Sequence, residues 1–135
     1  MTSQVYLLDT NVITGLMKKD AGVLDRSSQA LAADAHLVLS PVVFYEIKRG
    51  LLRRDARRQL GFFEQLSKTL WWNDLQRPDW QRAAELWANE VAHGRPPQDA
   101  DLLIAAQAHR LKAIVVTANE DHFTPLGVKI ENWLA

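Results

Sequence analysis

"VYLLDTNVITGLM" (residues 5–17) is the stretch on which the fold turns. Val5 to Leu8 are apolar without alternation, the pattern of a strand buried on both faces. The run meets an acid, Asp9, and passes at once into Thr10, Asn11 and a new pattern with Val12 and Leu16 four apart. A buried strand therefore ends, and a helix begins, at a carboxylate. Asp9 can cap that helix or form one wall of a site, and nothing local decides between the two.

Working outward, short apolar runs keep alternating with helical periodicity. A second helix is expected from near Val23 to Ala35, then a strand at His36–Leu39. Ser40-Pro41 follows, and Ser at the cap with Pro in the first turn is a strong helix start. Val43, Ile47 and Leu51 repeat at helical spacing behind it, and this helix should end near Gly50–Arg53. Another helix is expected from Asp55 to about Thr69, with Leu70-Trp71-Trp72 as either its end or an edge strand. Arg77-Pro78-Asp79 opens a helix whose Trp80, Ala83, Ala84, Trp87 and Val91 follow one periodic pattern. Gly94-Arg-Pro-Pro97 stops it. Asp99 begins a helix to Leu111, the β-branched Ala113–Thr117 reads as a strand, and Val128–Ile130 as one more. The expectation is an α/β fold with a central parallel sheet of four to five short strands flanked by helices. No linker or repeat divides the chain, so residues 1–135 read as a single domain.

Bulk properties narrow the class. With 135 residues the chain can bury a real core, and 47% hydrophobic against 24% charged residues is the balance of a globular protein. Without cysteine there is no disulfide or thiolate chemistry. No apolar run reaches the ~20 residues of a membrane span, and the opening residues lack a signal peptide's basic region. A cytoplasmic protein with no membrane partner is the expectation. Sixteen basic residues balance sixteen acidic ones, against a non-specific nucleic-acid coat.

In parallel sheets ligands bind beyond the carboxyl ends of the strands, which places the acids. Asp9 follows the first strand. Glu46 lies on the helix after the second, beyond the reach of a capping box. Asp99 and Asp101 open the helix before strand 113–117, with Asp99 well placed as its cap, and Thr117, Asn119 and Asp121 follow that strand. Several carboxylates in one pocket raise one another's pKa, a cost that a divalent cation removes. Oxygen ligands without Cys or His suit Mg²⁺ or Mn²⁺ rather than zinc.

These residues carry a resemblance over essentially the whole chain. "YLLDTNVI", "LSPVVFYEIKRGL", "DADLLIAAQAHRL" and "AIVVTANEDHF" resemble, in order, the four blocks of the PIN-domain ribonucleases, and more closely the VapC-type toxins of toxin–antitoxin pairs. The resemblance implies a PIN-like three-layer fold and Mg²⁺-dependent hydrolysis of RNA phosphodiesters, with Mn²⁺ able to substitute. It also implies a cognate antitoxin and a homodimer. Matched by position, Asp9, Glu46 and Asp101 are the three acids of the metal site. The fourth position departs from the pattern: Ala118-Asn119 stands where relatives have an acid, His122 stands where an Asp commonly precedes Phe, and Asp121 could supply the charge. Thr10, Asn11, Ser40, Asp99, Thr117 and Asn119 are the residues expected to support the acids or position water.

Arg49, Arg53 and Arg57 are four apart and would form a basic stripe for RNA or antitoxin if helix ran on across Gly50–Asp55. Trp71, Trp72, Trp80 and Trp87 are expected in the core or at a dimer interface. Two other readings compete. A haloacid dehalogenase-type phosphatase needs a second acid two positions after the first, and that position is Asn11. A decayed PIN-like domain that only binds a partner is the other, motivated by the altered fourth position.

Overall fold

The run Val5–Leu8 forms β1, and the chain then enters α1 (Thr10–Met17) and α2 (Ala21–Ala32). A computed structural model describes residues 3–134. β2 (His36–Leu39), α3 (Pro41–Arg53), α4 (Arg57–Ser67), β3 (Trp71–Trp72) and α5 (Arg77–Ala92) follow. The chain continues through α6 (Asp99–Leu111), β4 (Ile114–Val116) and α7 (Glu120–Phe123), and a 3-10 turn (Thr124–Leu126) leads to β5 (Lys129–Glu131). The five strands form one parallel sheet in the order β3-β2-β1-β4-β5.

β1 is central because its side chains can be buried on both faces. Leu7 and Leu8 are fully buried, as are Leu39, Val115 and Val116 on the neighbouring strands. From β1 the chain steps through β2 to β3 at one edge, then crosses back over the sheet to β4 and β5. Right-handed crossovers thus lay α1–α4 on one face and α5–α7 on the other. The packing of α1 on α2, α3 and α4, and of α6 on α5 and α7, agrees. The expected α/β architecture of helices flanking a parallel sheet is what forms.

Local starts follow the side chains that make them. Asp9 accepts from Thr10 N at 2.8 Å and caps α1. Asp20 caps α2 from its side chain, and Ser40 caps α3 with Pro41 in the first turn. Four expectations need correction. α2 stops at Ala32, and Asp34, not Ala35, turns the chain with a left-handed φ of 60°. The expected helix from Asp55 begins only at Arg57, because Asp55 adopts φ 51° and breaks the chain between α3 and α4. Asp99 does not cap α6: Gln98 holds that position and Asp99 is the first helical residue. The tryptophans are not core. Trp71, Trp72, Trp80 and Trp87 are each about half exposed, because α5 turns Ala83 inward and leaves Trp80 and Trp87 at its margin. Trp133 is the buried tryptophan. Trp71-Trp72 resolves as the edge strand β3.

Candidate active site

The chain leaves β1 toward β2 on one side and reaches β4 on the other only after its long return. The crevice between β1 and β4 is therefore the topological switch point, where open α/β sheets place their ligands. Asp9 N donates to Val116 O at 2.9 Å, fixing the ends of the two strands side by side. Two residues leave those ends together, Asp9 and Thr117, both buried.

Every oxygen of the Asp9 carboxylate has a protein partner. Oδ1 accepts from Thr10 N. Oδ2 accepts from Thr117 Oγ1 at 2.7 Å and from Asn11 Nδ2 at 3.4 Å. Asn11 also accepts from Ala118 N at 2.9 Å, and Thr117 Oγ1 accepts from Asn119 N at 2.9 Å. The turn after β1 and the turn after β4 are in this way laced into one unit around a single carboxylate.

Two further acids approach from the helices. α3 brings Glu46, whose Oε1 accepts from Thr10 Oγ1 at 3.2 Å. The first turn of α6 brings Asp101, whose Oδ2 lies 3.1 Å from His122 Nδ1. Burial first, then the charge on Asp9, pushes the Asp101 carboxyl above the usual range, with His122 opposing. Glu46 is also pushed up, first by burial and further by the charges on Asp9 and Asp101, against Thr10 and Arg49. The charge on Asp9 thus reaches both Glu46 and Asp101, although the three come from positions 9, 46 and 101.

This donor set suits a hard divalent cation. Its ligating atoms are carboxylate oxygens, and a cation between them would relieve the mutual repulsion that raises the two shifted groups. Among the described residues no three acids or histidines are gathered tightly enough to form a finished cage. The fit rests on donor chemistry and shared electrostatics.

The remaining expected residues divide. Thr10, Asn11 and Thr117 touch the acids as expected. Ser40 does not: its hydroxyl accepts from Val42 N at 3.3 Å, so it reaches the site only by starting the helix that carries Glu46. Asn119 bonds through its backbone, not its amide side chain. Asp99 is exposed, on a groove it shares with Glu46 and Arg49. Asp121 is exposed in the first turn of α7 and lines a cleft beside Asp101.

The basic stripe is broken. With α3 and α4 separated at Asp55, Arg49 stacks over Tyr45 at 4.9 Å and Arg57 pairs with Asp55 at 3.1 Å, while Arg53 lies exposed at the end of α3. Arg54 and Arg58 instead rim a groove of about 680 Å³ that opens beside Thr10 and Glu46, with Met17, Ile47, Leu51 and Phe62 on its apolar lining. His122 on Asp101 is the contact that sequence reasoning missed. The only signal was a histidine in the short acidic run after β4.

Comparison with known proteins agrees with this geometry. A family model described as PIN domain matches residues 6–126. Ribonuclease VapC1 of Haemophilus influenzae (strain R2866) is 32% identical over 124 residues, covering 88% of this chain and 90% of that protein. Among solved structures, VapBC2 from Rickettsia felis bound to a promoter DNA fragment superposes with a TM-score of 0.87 at 22% identity, over 96% of this chain and 99% of that one. VapBC-1 from nontypeable Haemophilus influenzae gives 0.85 at 26% identity, over 96% and 98%. The family match runs from the second residue of β1 to the last turn before β5 and so takes in every element that brings the acids together: the chain belongs to the PIN-domain family.

Proposed function

We propose that this chain is a divalent-cation-dependent endoribonuclease that hydrolyses RNA phosphodiester bonds and acts as the toxin of a toxin–antitoxin pair. The observation that supports this reading is Asp9 at the end of β1, with Glu46 of α3 bonded to the neighbouring Thr10 and Asp101 of α6 near enough to feel the Asp9 charge. Membership of the family and the ribonuclease relatives support it.

Asp9 and Asp101 hold the cation, Mg²⁺ with Mn²⁺ as a substitute, and Glu46 joins them directly or through water. When bound, the cation supplies a Lewis acid for the phosphate and a means of making water nucleophilic near neutral pH. The chain's own residues do the placing. Thr10 N and Thr117 Oγ1 fix both oxygens of Asp9 in one orientation, and Asn11 braces Asp9 against the loop after β4. Thr10 Oγ1 holds Glu46 beside Asp9, where its carboxylate would position the attacking water.

The protein's place is the cytoplasm, where its substrate is made. No helix among the described residues is long and apolar enough to cross a membrane. An antitoxin protein is the proposed controlling partner, supported by relatives solved as VapBC complexes. A second copy of the chain is the other partner. The exposed Trp80 and Trp87, bordering a groove with Leu102 and Leu103, supply the aromatic surface that interfaces favour. Light scattering that returned a monomer at micromolar concentration would overturn the dimer.

The decisive experiment is RNA cleavage by Asp9→Asn and Asp101→Asn. Loss of several kcal/mol of charge stabilisation corresponds to about a thousandfold fall in rate. Undiminished cleavage would sink the assignment of these acids, and wild-type protein that cleaves no RNA with Mg²⁺ or Mn²⁺ present would leave the decayed, partner-binding reading in its place.

A further inference from the structure

A second cleft, of about 290 Å³, opens on Asp101, and Glu46 does not line it. One wall is the loop between α5 and α6, with Arg95, Pro96 and Pro97. The other is the start of α7 and the turn after it, with Asp121, His122 and Pro125. Arg95 is the one lysine or arginine that lines it.

Arg95 is held with unusual firmness for a loop residue. Its Nε and Nη2 donate to the two oxygens of Glu90 at 2.9 and 3.2 Å. Its backbone N donates to Glu90 O at 2.9 Å, after a turn through Gly94 at φ 73°. Two prolines follow and stiffen the exit. The pair is asymmetric: the Glu90 side chain is 3% exposed and that of Arg95 is 54% exposed. Both residues line the cleft, and Arg95 is the more accessible of the two. A bidentate clamp of this kind fixes the guanidinium plane before any ligand arrives, which lowers the cost of binding one.

Electrostatics gives such a group a task. A phosphodiester strand approaching Asp101 and Asp121 is repelled by both, and only the scissile phosphate would be neutralised, by the cation that the acids would hold. The neighbouring phosphates need a cation of their own, placed to one side. Building on the ribonuclease reading above, we propose that this cleft holds a nucleotide flanking the cleaved bond of a single-stranded RNA, with the Arg95 guanidinium on its phosphate. Pro97 and Pro125 provide the apolar surface against which sugar or base rests. Arg95 is then a substrate-binding residue, and Glu90 the residue that positions it.

The alternative is that Arg95 merely staples its own loop. Fluorescence anisotropy of a labelled single-stranded oligoribonucleotide, with the full chain in EDTA so that no strand is cut, separates the two. Arg95→Gln alone strands the buried Glu90, so the double variant Glu90→Gln/Arg95→Gln is measured beside it, with Arg95→Lys as the conservative control. The expected result is about tenfold weaker binding in the double variant, and a log–log salt dependence shallower by about 0.7, the loss of one single-strand phosphate contact. Arg95→Lys should recover part of the affinity. A double variant that binds with wild-type affinity and salt slope overturns the subsite and makes Arg95 a loop staple. Wild-type protein that neither binds nor cleaves RNA overturns the ribonuclease reading instead, and the subsite falls with it.

Discussion

One helix, α6, carries buried charge at both ends and treats it in opposite ways. At its last turn Arg110 donates from Nε to Asp79 at 2.9 Å, and from Nη2 to Asn73 Oδ1 at 2.8 Å and Asp74 O at 3.1 Å. Asp79 has no exposed surface and Arg110 has 21%. Gln107, one turn earlier, donates to Asn73 O at 2.8 Å. At the first turn of the same helix Asp101 faces two further carboxylates, and its protein partner is a half-exposed histidine. Opposite charges buried together lock β3, α5 and α6 to one another. Like charges buried together raise the folding cost of the site, and that cost marks it as built for something other than stability.

The sharpest way to break the contrast is to unbalance the balanced end. Arg110→Met leaves Asp79 buried without its cation and should destabilise the protein by about 3 kcal/mol in urea unfolding. Replacing both partners, Asp79→Leu with Arg110→Met, should return most of that loss. A single variant costing less than about 1 kcal/mol would show that the pair anchors nothing.

At the other end, Thr117→Val keeps the shape of the side chain and removes the hydroxyl that donates to Asp9 Oδ2. Calorimetric titration with Mn²⁺ should show affinity weakened about 10- to 100-fold. Unchanged affinity would mean that Thr10 N and Asn11 Nδ2 suffice to orient Asp9.

The smallest effect has the opposite sign to most substitutions. Asp101→Asn removes one of three mutually repelling acids, and in EDTA it should raise stability by about 1 kcal/mol, roughly 3 °C in unfolding midpoint. The pH dependence follows from the direction of the shifts. Asp101 and Glu46 are raised in the folded state, so folded protein binds their protons more tightly than unfolded chain does. Their penalty is absent at acid pH, sets in as pH rises from the ordinary carboxylate range through the raised values, and is complete above them. Melting curves across this range should flatten in the variant, and a midpoint that falls instead would remove the repulsion from the account.

The site was legible where chemistry and secondary structure coincide. Asp9 stands where an apolar run becomes a helix, Glu46 lies on a helix announced by Ser40-Pro41, and Asp101 begins the helix before the second central strand. Taken singly each was ambiguous; parallel-sheet topology allowed the acids to converge on one edge, and the resemblance to the PIN-domain blocks singled out these three. What escaped depends on the backbone or on partners distant in sequence. A non-glycine residue with positive φ, Asp55, gives no compositional warning, yet it cut the basic stripe and turned Arg54 and Arg58 rather than Arg53 and Arg57 toward the groove. The Trp80 and Trp87 periodicity was real, but a helix with large residues beside small ones can turn either inward, and close packing of α5 on α6 selected Ala83. His122 met Asp101 across 21 positions, which no local pattern encodes.

The bond between Thr117 and Asp9 spans 108 positions of a 135-residue chain. In chain order Asp9 precedes both its hydroxyl partner and β4, the second of the two strands that pair with β1, by more than a hundred positions. β1 must wait with one edge unpaired until β4 arrives. Until Thr117 is in place the Asp9 carboxylate lacks its shortest hydrogen bond and keeps only those of its own turn, from Thr10 N and Asn11 Nδ2.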